Sequence, residues 1–169
     1  MRIADTLIQE LEQEGKTTRR VLDRVPADRL SWKPHEKSLS VGQLALHLAR
    51  LNGSIAPMAV PDTFELVGNP FQFAEASSKA EIMNVFDEGL TKAKAVLGEM
   101  NDATISAPWS MKMGEKMIMS MPRLALFRAL LCNHAYHHRG QLSVYLRLLN
   151  LEVPSIYGPS ADENPFAPG

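Results

Sequence analysis

Cysteine is almost missing from this chain of 169 residues: Cys132 stands alone, which excludes an intramolecular disulfide and fits a reducing compartment. An excess of one charge is missing too. Lysine and arginine number 18 against 19 acidic residues, with no basic block, so electrostatic binding of nucleic acid has little to rest on. No apolar run reaches the length of a membrane span. The N-terminal segment carries Asp5, Glu10 and Glu12 where a secretory signal needs an unbroken apolar stretch. Repeats and low-complexity linkers are lacking as well. These absences lead to an expectation of one cytoplasmic domain spanning residues 1–169, with no membrane and no nucleic-acid partner.

What is present is ordinary globular composition, 45% hydrophobic and 22% charged, in a chain long enough to bury one core. Apolar residues recur at helical spacing in four stretches. The first runs from Ile3 to about Val25, before Pro26, with the stripe Ala4, Leu7, Leu11, Glu14, Thr18, Val21 and Val25. Glu14 and Thr18 leave a polar gap halfway along it. Ser40 and Gln43 form a capping box for the second, and Leu39 can staple to Leu44. Its stripe is Val41, Leu44, Leu48, Leu51 and Ile55, and Pro57 stops or bends it. Residues 57–77 read as a long ordered connection.

The third helix opens at Ser78, with Glu81 completing a second capping box, and Ile82, Phe86, Leu90, Ala93 and Leu97 as its stripe. From Ile105 to Met121 the alternation of Trp109, Met111, Met113, Met117 and Met119 around Gly114-Glu115 predicts an extended flap or weak hairpin. Proline in the first turn, at Ser120-Met121-Pro122, opens the fourth helix, which runs to about Asn150. A coil tail rich in proline follows. The pattern predicts an all-α four-helix bundle with long connections, in a topology other than simple up-down-up-down.

The fourth stripe is Phe127, Leu131, His134, His138, Leu142, Tyr145 and Leu149. Histidine in a core stripe needs something to satisfy its nitrogens. The i, i+4 spacing of His134 and His138 brings their Cβ atoms to roughly 6 Å, within reach of one ion. His137 falls about 100° off the stripe and drops out. His47 lies about 70° from the centre of the second stripe, near mid-helix. Spacing alone leaves His47 open, since a lone histidine there is more often packed against a neighbour. His35, in a polar loop, reads as exposed. Methionines 111–121 read as adaptable core filling rather than a soft-metal site.

Two histidine segments carry a resemblance. Asn133-His134-Ala135-Tyr136-His137-His138-Arg139-Gly140-Gln141-Leu142 with Tyr145-Leu146-Arg147 resembles the last helix of the DinB family, and Ser40-Val41-Gly42-Gln43-Leu44-Ala45-Leu46-His47-Leu48 its other histidine segment. Trp32-Lys33-Pro34 and the tail 153–163 are similar as well. The resemblance implies a four-helix bundle, often a homodimer, holding a divalent metal (zinc, nickel or iron) on His47, His134 and His138. It also implies a small-molecule substrate and a low-molecular-weight thiol as co-substrate in some members.

Two function classes follow from these readings. One is a metal-dependent enzyme, a thiol-dependent S-transferase or a hydrolase. The other is a non-catalytic metal-binding stress-response protein. H-E-x-x-H is absent, so a general base must come from elsewhere, and Glu14, in the inward stripe of the first helix, is the candidate catalytic residue. A solvated bend at Glu14-Gly15 is the competing reading. Gln43 and Gln141 lie within a turn of the histidines and stand to orient a ligand, or to serve as capping and surface amides.

Overall fold

The structure is a computed structural model that describes residues 1–69 and 72–167. Four long helical stretches form the bundle. Helix α1 (Ile3–Asp23) begins where the Asp5 carboxylate accepts the Arg2 backbone N–H at 3.0 Å. Helix α2 (Val41–Met58) carries the capping box read from the sequence: Ser40 N–H donates to Gln43 Oε1 at 2.9 Å and Gln43 N–H to Ser40 Oγ at 3.0 Å. Pro57 falls in its last turn. Helix α3 (Lys79–Gly98) is capped by Ser78 Oγ, which accepts the Glu81 N–H at 3.1 Å. The expected second half of that box is absent, because the Glu81 carboxylate instead accepts the backbone N–H and the hydroxyl of Ser77, each at 2.7 Å.

A short helix α4 (Asp102–Ser106) leads into the hairpin β2 (Pro108–Met113) and β3 (Lys116–Pro122), with Gly114 at φ +58° in the turn. Of the expected flap or hairpin, the hairpin is what forms, as an antiparallel ladder, and β1 (Thr63–Glu65), unforeseen in the long connection, adds to β2 in parallel. The fully buried Trp109 anchors the hairpin, donating its indole N–H to the Met58 carbonyl at 2.8 Å. Arg123, also buried, joins the sheet end to α2 through the carbonyls of Ala59 (2.8 Å) and Pro108 (3.1 Å).

The last stretch is not one uniform helix. After α5 (Arg123–Leu126) the chain winds as a π-helix over Phe127–Asn133 and returns to α geometry in α6 (His134–Leu148). Pro122 stands before the first helical residue rather than inside the first turn. Both α1 and α2 pack on α3 and on the last stretch, so α1 lies across the bundle from α2, and α3 from the last stretch, while the consecutive pair α2 and α3 are neighbours. The topology accordingly departs from up-down-up-down.

The core divides into two apolar clusters. One contains Leu44, Leu48, Ile82, Phe86, Leu142 and Leu146; the other contains Leu7, Leu11, Leu97, Trp109, Phe127 and Leu131. Along α1 the changeover between them falls at Glu14–Thr18, and along the last stretch at residues 134–139. A polar layer crosses mid-bundle at that level.

Candidate metal centre

The functional side chains sit in that layer. His134 and His138 project from one face of α6, and His47 faces them from mid-α2. One ring nitrogen from each lies within 4.8 Å of the other two. His138 Nε2 is 2.8 Å from His134 Nε2, and His47 Nε2 is 3.4 Å from it. The geometry brings together the three histidines expected from the sequence. His137 is exposed and outside the group, and His35 is exposed in its loop, accepting the Lys37 N–H at 3.1 Å.

For two of the rings the opposite edge explains which nitrogen faces inward. Gln141 Oε1 lies 2.6 Å from His138 Nδ1, so that nitrogen carries the proton and Nε2 keeps a free lone pair. His134 donates a ring N–H to the Leu130 carbonyl. At the end of the π-helical segment the His134 backbone N–H turns to the Leu131 carbonyl, and the imidazole takes the Leu130 carbonyl. Two lone pairs at 2.8 Å repel unless a cation lies between them. The donor set, three neutral imidazoles of which two are fixed by hydrogen bonds on their far side, therefore fits a divalent ion such as zinc.

Electrostatics point the same way. The His47 pKa is lowered to about 4, first by burial and then by the other two histidines and Arg50. Burial likewise lowers His134 and His138. All three rings are thus uncharged near neutrality, each with one nitrogen free to ligate. Burial pushes the Cys132 thiol up to about 11, which leaves it a packed thiol rather than a nucleophile.

Glu14 does not join the triad. Its carboxylate pairs with Arg139 Nη2 at 2.7 Å and accepts the Tyr157 hydroxyl at 2.9 Å. Arg139 is fully buried, donates also to the Glu14 carbonyl and Thr18 Oγ1 (3.2 Å each), and stacks near the rings of Tyr136 and Tyr157. The expectation of a metal-facing general base thus gives way to a structural one: the carboxylate neutralises a buried guanidinium. Sequence reasoning missed this network. Its signal was an arginine beside His138 on a stripe opposite Glu14. Gln43 is consumed by the cap and by a 3.3 Å bond to the Phe73 carbonyl, whereas Gln141 orients a ring.

A cavity of about 500 Å³ opens beside His47 and His134. Its walls come from α2, the connection after β1, the hairpin and the π-helical segment, including Met58, Phe73, Met111, Met119 and Leu130. The methionines expected as core filling therefore line a hollow in part, and no carboxylate is among the described lining residues. A mid-bundle histidine cluster at the foot of an apolar cavity defines a helical-bundle protein with a candidate metal site.

Residues 1–165 match the family profile described as DinB family, and the chain belongs to it. The uncharacterized protein YrdA of Bacillus subtilis is 26% identical over 164 residues, which cover 94% of this chain and 90% of YrdA. Among solved structures, a DinB-like protein from Bacillus cereus superposes with a TM-score of 0.68 at 22% identity, covering 90% of this chain and 97% of that one. YfiT of Bacillus subtilis, described as a probable metal-dependent hydrolase with an unusual four-helix bundle topology, gives 0.62 at 15% identity over 88% of this chain and 89% of its own. These likenesses show the DinB/YfiT-like fold.

Proposed function

We propose that this chain is a metal-dependent enzyme that holds a divalent ion on His47, His134 and His138 and acts on a small, largely apolar molecule in the adjoining cavity. One observation carries the reading: three uncharged imidazoles converge, and two of them line an apolar hollow. A structural ion is normally closed off by a fourth protein ligand, and the group found among the described residues has three members. When bound, such an ion acidifies a water or a thiol at its open positions.

The chain's own residues then bind, orient and exclude water. Gln141 and the Leu130 carbonyl hold two rings in the ligating tautomer. The wall of Met58, Phe73, Met111 and Met119 excludes bulk water and fits an apolar body. Hydrolysis has a parallel in the description of YfiT. Transfer of a small thiol is the second reading, favoured by the want of a carboxylate base in the lining, because a thiol ionises far more readily than water.

The test is turnover by zinc-reconstituted protein of a panel of chromogenic apolar esters, and of a chromogenic electrophile with a low-molecular-weight thiol. Activity that needs both the ion and His138 in either panel is expected. Full activity after chelation, or in His138→Ala, contradicts the proposal.

A further inference from the structure

The cavity wall carries a single charged side chain among its described residues, Arg50. Arg50 lies three residues beyond His47 and four before Ser54 on α2, so the three share one face. Its ion pair is slack: Glu81 Oε1 is 3.7 Å away, and the Arg50 side chain remains 43% exposed. Glu81 is also held elsewhere, since its other oxygen takes both hydrogen bonds from Ser77.

A planar guanidinium with donors to spare, at the wall of an apolar hollow without carboxylates, suits an oxyanion. The apolar surroundings strengthen such a pair relative to water once a ligand fills the space. Gln72 and Ser54 line the same cavity and add neutral polar groups.

The geometry points to a substrate of mixed character: an apolar body with one oxyanion, a carboxylate, sulfonate or phosphate ester, which Arg50 grips while the body lies along the methionine wall. The inference rests on the reading of this cavity as the substrate site. It assigns Arg50 the choice between charged and neutral ligands of the same shape. The histidines keep the chemistry.

A pair of fluorescent probes of nearly equal size tests it, 1-anilinonaphthalene-8-sulfonate and the neutral N-phenyl-1-naphthylamine. Zinc-loaded protein is expected to bind the sulfonate roughly tenfold or more tightly than the neutral probe, the scale of one charge-assisted hydrogen bond. Arg50→Gln should abolish that preference while leaving the neutral probe unchanged, and Arg50→Lys should restore part of it. Met119→Trp, which fills the cavity, should weaken both probes. Equal binding of the two by wild type, equal loss of both in Arg50→Gln, or indifference of both to Met119→Trp overturns the inference.

The same titrations in metal-free His138→Ala separate the two claims. A preference that persists there and still needs Arg50 supports the anion site whatever becomes of the metal. A preference that vanishes with the ion and ignores Arg50 overturns it, because the anion then goes to the metal.

Discussion

The nitrogen an imidazole offers is decided by what its other nitrogen touches. Gln141 makes that choice for His138, and its removal frees the ring to turn and to change tautomer. Gln141→Ala is expected to weaken zinc binding by roughly 10- to 100-fold with the fold intact, measured by competition with a chromophoric chelator. Acid acts on the same nitrogens. A histidine whose folded pKa lies below its unfolded value stays neutral in the folded chain while it protonates in the unfolded one. Its contribution to stability is therefore whole above about pH 6.5 and falls away as pH drops towards 4, the His47 value. Zinc affinity should begin to fall at a lower pH than it would for unburied histidines, as protons compete for three rings whose pKa values burial lowers. A titration with its midpoint near the ordinary histidine value would contradict the burial argument.

One close contact and one winding defect decide how the elements meet. A Cβ built on Gly53 of α2 would sit 3.0 Å from Gly89 Cα of α3, so the two helices touch backbone to backbone. Gly53→Val should cost about 1–3 kcal/mol in a denaturant melt, since neither neighbour is a side chain able to swing away. Gly140, inside α6 with nothing within 4 Å of the place a methyl group would take, is the contrast. Gly140→Ala should stabilise by up to about 1 kcal/mol through helix propensity alone. Helix positions, the cap at Ser40 and the pairing of His134 with His138 were legible in the sequence because each rests on local spacing. The π-helical turn was not, because the stripe Leu131, His134, His138 reads the same whether the turn before it is wound at α or π pitch. The parallel strand Thr63–Glu65 was equally hidden, since its partner lies more than forty residues further along the chain.

At the scale of the molecule, the polar layer between two apolar cores does two jobs side by side. On one side it gathers the histidines; on the other it ties the C-terminal tail to the bundle through Arg139, Glu14 and Tyr157. Further along that tail, Asp162 and Glu163 meet Arg147, Arg20 and Arg24. Periodicity put Glu14 in the right layer and assigned it the wrong partner, because a stripe reports depth and not which buried charge lies opposite. Glu14→Ala leaves the Arg139 guanidinium buried without its counter-ion, and the expected loss is about 3 kcal/mol or more with zinc binding unchanged, read by thermal melt and metal titration together. No helix among the described residues is long and apolar enough to cross a membrane. What the whole arrangement is built to hold is best tested by elemental analysis after zinc loading and exhaustive desalting, wild type beside His138→Ala. One divalent ion per chain in the wild type and a near-empty variant is the predicted result; equal metal in both, or none retained by the wild type, would contradict the assignment of a metal centre to His47, His134 and His138.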